Sequence, residues 1–278
     1  MAKGGSDQAV GLPRRVARAA AWRARRLAER VLERRYGVST AEFVYLEDLG
    51  LEPEHRVWHD PSDWIGLRRA LGRLGIGRDD VFVDYGSGLG RAVLVAASLP
   101  FRRVIGVELS EEMTARAREH VRRNRDRLKA GEVDLVSADA LEWEVPADLT
   151  VAYLYCPFTE KVFDSVMQKL FDSVDEHPRP LRIVYNYPLE HSRLIRTGRV
   201  RVLDAVSSQW LERSRVGADA IVTYLVLPED EALREEYVRR FPQRLKGAEV
   251  WLGEHEPGYA LEKPDRLGGM ILKRERQA

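Results

Sequence analysis

The segment Val81-Phe82-Val83-Asp84-Tyr85-Gly86-Ser87-Gly88-Leu89-Gly90-Arg91 constrains the fold of this chain more than any other. A short apolar run leads into a turn with glycine at every second position, and the turn opens a helix. Glycines there let the backbone bend sharply and approach a ligand without a Cβ in the way. The helix start adds unpaired N–H groups. Strand, glycine turn and helix in that order belong to an open α/β sheet, which binds ligands at the carboxyl ends of its strands. Two patterns compete for the turn. A dinucleotide-binding turn has the spacing G-x-G-x-x-G; counted from Gly86 and Gly88, its third glycine falls on Arg91. The spacing present is Asp84-x-Gly86-x-Gly88-x-Gly90.

The chain around this segment alternates between the two periodicities. Apolar strands are expected at 81–85, 103–108, 132–137, 149–155 and 181–187, and helices at 90–99, 111–129 and 159–175. Val162, Val166, Leu170 and Val174 keep helical register in the last of these. Such alternation predicts a Rossmann-like, doubly wound α/β fold, a seven-stranded and mostly parallel sheet with helices on both faces. Two β-rich stretches, 200–210 and 218–227, flank a glycine-containing turn and predict an antiparallel C-terminal hairpin. A helix at 64–74 precedes the first strand, with Trp64, Leu67, Leu71 and Leu74 on one face, Ser62 as its N-cap and Gly75 and Gly77 at its end. Three regions follow: a helical arm and substrate lid at 1–64, a ligand-binding catalytic domain at 65–227 and a C-terminal extension at 228–278. The extension opens with a charged helix at 229–240 and continues through Val250-Trp251-Leu252 and Met270-Ile271-Leu272.

The arm is rich in Ala and Arg at 14–35. Val16, Ala20, Leu27 and Val31 recur at helical spacing, and the polar side carries many arginines against only Glu29 and Glu33. A basic amphipathic helix of this kind can lie on anionic lipid or RNA. The plainer expectation is a helix packed on the domain with a solvated arginine face. Composition favours the plainer one: the 278 residues carry 45 Lys and Arg against 44 Asp and Glu, a net charge of +1. No global field draws the chain to nucleic acid or membrane. The preference for Arg over Lys matches a GC-rich genome. Cys156 is the single cysteine, so no disulfide forms within the chain, which fits a reducing cytoplasm. No apolar run nears the ~20 residues of a membrane helix, and the first residues lack the apolar core of a signal peptide. No metal is expected, because Glu254, His255 and Glu256 are too sparse for a ligand set and His59 with Asp60 is only a pair.

The spacing led by Asp84 resembles motif I of the class I S-adenosylmethionine-dependent methyltransferases. The resemblance implies that Gly86, Gly88 and Gly90 lie under the methionine moiety and that Asp84 holds its ammonium end. Glu108 ends the next strand, 24 residues after Asp84, near the ~20 expected of a ribose-binding acid. Asp139 follows the third strand, where the family sets an acid against the adenine amino group; the Ala140 N–H is the neighbouring group for the ring. Before motif I, His59-Asp60-Pro61-Ser62 resembles the corresponding segment of the non-SET histone-lysine methyltransferases, with His59 in place of a Tyr and Ser62 in place of a Thr. The likeness spans roughly 55–160 and includes no histone-binding region, so no histone substrate is implied.

Motif IV, Tyr153-Leu154-Tyr155-Cys156-Pro157-Phe158, lacks the Asp/Asn-Pro-Pro-Tyr/Phe of amino-group methylation. Its Cys-Pro order also departs from cytosine-C5 chemistry, leaving Cys156 as a small packing residue. Tyr155 and Cys156 end the fourth strand and face the transferred methyl group; Asn186 and Tyr187 end the fifth and offer a hydrogen bond and a ring to a substrate. Trp58 and Trp64 are further substrate contacts, and His59, Tyr45 and Tyr36 are the candidate catalytic groups should the nucleophile carry a proton. The whole chain is similar to actinobacterial small-molecule methyltransferases, including enzymes that methylate C3 of an indole in tryptophan-derived cyclic dipeptides. The expected partner is a small aromatic substrate, with no membrane and no nucleic acid; a homodimer is compatible. Two other classes remain open: an RNA or protein methyltransferase gripping its substrate with the basic helix, and a cofactor-binding protein without catalysis.

Overall fold

The computed structural model describes residues 12–42, 61–207, 220–244, 259–262 and 271–274. The arm is helix α1 (Leu12–Tyr36), and α2 (Trp64–Gly72) leads into β1 (Val81–Tyr85). Then come α3 (Arg91–Ala97), β2 (Arg103–Glu108), α4 (Glu111–Arg123), β3 (Glu132–Ser137), β4 (Val151–Tyr155), α5 (Glu160–Glu176) and β5 (Arg182–Asn186). A short α6 (His191–Arg196), β6 (Val200–Ser207), β7 (Ala220–Val226) and α7 (Glu231–Arg240) complete the domain. A separate antiparallel pair, β8 (Tyr259–Glu262) and β9 (Ile271–Arg274), follows.

Seven strands form one sheet in the order β3-β2-β1-β4-β5-β7-β6. Six run in one direction, and β7 alone runs against them, pairing antiparallel with β5 and β6. This is the Rossmann-like architecture with its antiparallel hairpin at one edge. The strand order reverses between β1 and β4, which opens a crevice at their carboxyl ends. Side chains alternate across the sheet: Val81, Val83 and Tyr85 enter the core under α5, while Phe82 enters the core shared by α2 and α3. Because both faces are covered, β1 is buried at every position, as parallel strands usually are. Phe82 packs between Phe101 and Tyr153, with ring centroids 5.4 and 6.1 Å away. Leu203, Leu225, Leu227 and Tyr237 form a smaller core that fixes α7 to the hairpin.

Several elements depart from expectation for local reasons. Ser62 is not the N-cap of α2: Asp63 caps it, its Oδ1 accepting from the Gly66 N–H at 2.5 Å. That helix also stops at Gly72 rather than 74. The helix expected over 111–129 ends at Arg123, because Asn124 leaves helical geometry and spends its side-chain amide on the carbonyls of His120 and Tyr36. Leu27 and Val31 of α1 face away from the domain, against the expectation. Leu27 and Val31 are 63% and 54% exposed, and Leu32 and Tyr36 pack on the domain instead. Helix α6 was not expected. The hairpin turn, and Val250-Trp251-Leu252 with Met270, lie outside the described residues. Among those described, no helix is long and apolar enough to cross a membrane.

Candidate active site

The glycine turn sits at the carboxyl end of β1, beside the crevice. Gly86 has φ +76°, and a Cβ there would lie 2.9 Å from Pro157 Cβ. The chain leaving β4 therefore crosses directly against the turn, so motif I and motif IV form one surface. Gly90 has φ +83°, and its absent Cβ leaves room for Ala117 of α4 at 3.0 Å. The turn's N–H groups are already engaged: Gly86 and Ser87 donate to the Val107 carbonyl at 2.9 and 3.0 Å. Gly88 donates to Glu108 Oε2 at 2.8 Å. A pyrophosphate would need those donors free, so the geometry agrees with the spacing in disfavouring a dinucleotide.

The three acids lie at the carboxyl ends of β1, β2 and β3. Asp84 is 3% exposed. Among the described residues it has neither a hydrogen-bond donor nor a cation, and burial, helped by the charge of Glu108, holds its carboxyl well above the usual range. Burial also raises the carboxyl of Glu108, against the opposing pull of N–H groups from Ser110, Gly88 and Leu109. Asp139 is half-buried, and its Oδ1 accepts from the Leu141 N–H at 2.9 Å, which shapes the loop after β3. Ala140 is buried beside it. Lys169 of α5 steadies that loop from below, donating to the carbonyls of Leu141 and Trp143 at 2.8 and 2.6 Å.

Ser62 reaches the sheet: its hydroxyl lies 2.8 Å from Tyr153 Oη, which also accepts from Asn186 Nδ2 at 3.2 Å. These three side chains are buried. Burial raises the Tyr153 phenol, so it stays neutral and can donate as well as accept. Two of the strand-end candidates occupy the left-handed region, Cys156 at φ +44° and Tyr187 at φ +53°. Non-glycine residues there cost about 1–2 kcal/mol each, and such strain gathers at functional sites. Cys156 is fully buried, and burial pushes its thiol up; it is a packing group, not a thiolate. Tyr155 is half-buried at the end of β4.

Trp64 is 4% exposed, and Tyr36 stacks on it with centroids 4.9 Å apart. The indole N–H of Trp64 has no acceptor among the described residues. The Arg127 guanidinium lies over the Tyr36 ring, 5.9 Å from its centre. The structure thus engages Tyr36 in packing at the end of α1. His59, Tyr45 and Trp58 lie outside the described residues. No cluster of three or more metal-ligating side chains occurs among the described residues. The residue missed in the sequence is Arg91, which entered the reading only as a non-glycine. It is 2% exposed and bonds Thr40 Oγ1, the Ser62 carbonyl and Glu33. The available signal was a lone arginine at the head of the otherwise apolar helix Arg91–Ala97.

Residues 82–180 match the methyltransferase domain family. No curated protein matches the chain. Among solved structures it is similar to an RNA methyltransferase from Salinibacter ruber in complex with S-adenosyl-L-homocysteine, at 24% identity over 59% of this chain and 91% of that one, TM-score 0.40. A SAM-dependent methyltransferase from Thiobacillus denitrificans, also in complex with S-adenosyl-L-homocysteine, matches at 17% identity over 58% and 73%, TM-score 0.41. A glycopeptide N-methyltransferase complexed with S-adenosyl-L-methionine matches at 14% identity over 60% and 95%, TM-score 0.43. Two of these are named for different substrates, RNA and a glycopeptide, so no substrate class follows from them. The family match covers the glycine turn, the three acids and motif IV together.

Proposed function

We propose that this methyltransferase holds S-adenosylmethionine over the glycine turn and methylates a small aromatic acceptor. Asp84 carries the cofactor part of the reading. A buried carboxyl with no donor and no cation of its own is a costly group that a bound ammonium would stabilise. The other residues suit the rest of the molecule. Glu108 offers carboxylate oxygens to paired ribose hydroxyls, and Asp139 and the Ala140 N–H suit an adenine edge. When bound, the cofactor supplies an electrophilic methyl group. The chain's part is to bind it, orient the acceptor in line at ~3 Å and exclude water. The ring of indole attacks through its π electrons, so no base need act before the bond forms. Tyr36, Tyr45 and His59 have a role as bases only if the nucleophile carries a proton.

The aromatic side chains at the strand ends support an aromatic acceptor: Tyr155 and Tyr187 offer rings, and Asn186 a polar contact, while Tyr36 and Trp64 are spent on each other. The narrower reading, C3 of an indole in a tryptophan-containing cyclic dipeptide, rests on the resemblance to actinobacterial enzymes. In this reading the enzyme works in the cytoplasm on a small molecule, with no membrane or nucleic acid as partner. The test is transfer of labelled methyl from S-adenosylmethionine across a panel of indoles, tryptophan-derived cyclic dipeptides, RNA and protein. Label in an indole supports the reading. Label only in RNA or protein contradicts it.

A second reading has its own observation. Helix α1 exposes Leu27 and Val31 among arginines, a surface that could grip a macromolecule. RNA binding with a steep salt dependence, lost on removing residues 14–35, would favour it.

A further inference from the structure

Arg91 is placed where a cation is least welcome. It is 2% exposed and begins α3, where the positive end of the helix dipole opposes it. A buried charge persists only when it is paired and its donors are satisfied. All the polar partners described for Arg91 come from one part of the chain. Nη2 meets Glu33 Oε1 at 3.0 Å, Nε donates to Thr40 Oγ1 at 2.8 Å and Nη1 donates to the Ser62 carbonyl at 2.9 Å. Its guanidinium also lies 5.5 Å from the centre of the Trp64 ring. Glu33 is committed to the same cluster, because it accepts from the Thr40 N–H at 2.8 Å and from the Thr40 hydroxyl. These partners precede the methyltransferase domain, which begins at residue 82.

Two consequences follow. The guanidinium joins the end of α1 to the start of α2, holding Thr40 and Ser62 at one point although 22 positions separate them in sequence. It does so from the residue next to Gly90, the last glycine of the turn. Ser62 in turn reaches Tyr153, which lies beside Asp84 in the register of β1 and β4. A displaced arm therefore disturbs the glycine turn and the surroundings of Asp84 together.

We propose that Arg91 is a positioning residue: with Glu33 it clamps the arm against the glycine turn, and the affinity for S-adenosylmethionine depends on that buried pair. The proposal rests on the cofactor reading given above. Lysine cannot replace Arg91, since one ammonium cannot reach three partners set around a planar fork.

The test is calorimetric titration of S-adenosylhomocysteine into the full-length wild type and into Arg91→Lys, Glu33→Gln, Thr40→Ala and Arg102→Gln, each verified as folded by circular dichroism at the titration temperature. Arg102 forms an exposed pair with Asp148 far along the chain from the arm and serves as the control. Arg91→Lys and Glu33→Gln are expected to weaken binding at least about tenfold, Thr40→Ala less, and Arg102→Gln less than twofold. The Glu33→Gln/Arg91→Lys double variant should bind no more weakly than the worse single, because both remove one interaction. Should Arg91→Lys fail to fold, Glu33→Gln and Thr40→Ala carry the same comparison. If the folded variants bind within twofold of the wild type, Arg91 is merely structural and the proposal falls while the cofactor site stands. If the wild type does not bind, the cofactor reading falls and takes this proposal with it.

Discussion

Replacing Asp84 by Asn separates the cost of this carboxyl from its use. The side chain keeps its size but can no longer become an anion. In the free protein its carboxyl titrates well above the ordinary value because it is buried beside Glu108. The folded state then holds its proton to higher pH than the unfolded chain does. Stability from this group is complete below the unfolded pKa and is lost as pH rises through the folded pKa. Each unit of upward displacement costs about 1.4 kcal/mol at neutral pH. Asn removes that cost, so the free variant should be more stable than the wild type at pH 7. The thermal midpoint of the variant should lie above that of the wild type at pH 7. The gain should vanish near pH 3, where both states are protonated. Binding should move the other way. Loss of a buried charged partner costs about 3 kcal/mol, or ~150-fold in the dissociation constant for S-adenosylhomocysteine. Differential scanning fluorimetry across pH and isothermal calorimetry read the two effects. Unchanged affinity refutes Asp84 as the partner of the ammonium. Lost affinity with no gain in midpoint refutes the argument from burial.

Other substitutions test neighbouring parts of the account. Glu108→Ala removes both the proposed ribose contact and the acceptor of the Gly88 N–H; S-adenosylhomocysteine binding by calorimetry should fall beyond about 100-fold, and a loss under threefold would contradict the assignment. Gly86→Ala places a methyl at φ +76° and 2.9 Å from Pro157, which should destabilise the fold by about 2 kcal/mol and weaken cofactor binding; an unaltered urea midpoint would show that the turn and the motif IV chain do not touch. Phe82→Ala empties a fully buried site between Phe101 and Tyr153 and should cost about 3–5 kcal/mol in chemical denaturation; a cost under 1 kcal/mol would contradict the packing. Wild-type binding should also release protons, because an ammonium favours the ionised form of Asp84. Calorimetry in buffers of different ionisation enthalpy measures this, and identical heats would count against it.

The parallel core of the fold was legible because its signal is local and repeated. The runs at β1 and β2 are short, apolar and bounded by turn residues, and two-sided burial leaves such strands little compositional freedom. The spacing of Asp84, Gly86, Gly88 and Gly90 was equally local, and the backbone geometry of the turn requires glycine at the positions where the sequence supplies it. What sequence could not show depends on contacts between distant segments. Period alone gave α1 an apolar face of Val16, Ala20, Leu27 and Val31. Leu32 and Tyr36 won the burial because the core that contains Trp64 offers them partners. Asp63 displaced Ser62 as the cap of α2 because the Ser62 hydroxyl is spent on Tyr153, 91 positions away. Arg91 was invisible for the same reason: a buried arginine is recognisable only by its partners, and Glu33, Thr40 and Ser62 lie 58, 51 and 29 residues upstream.

The central claim is that Asp84, Glu108 and Asp139 hold the three parts of S-adenosylmethionine around the glycine turn. A crystal structure of the full chain grown with S-adenosylhomocysteine tests it most directly. The account predicts the ammonium group within hydrogen-bond reach of Asp84, the ribose hydroxyls on Glu108 and the adenine beside Asp139 and Ala140. A ligand bound elsewhere, or turned so that adenine lies at Asp84, would contradict it.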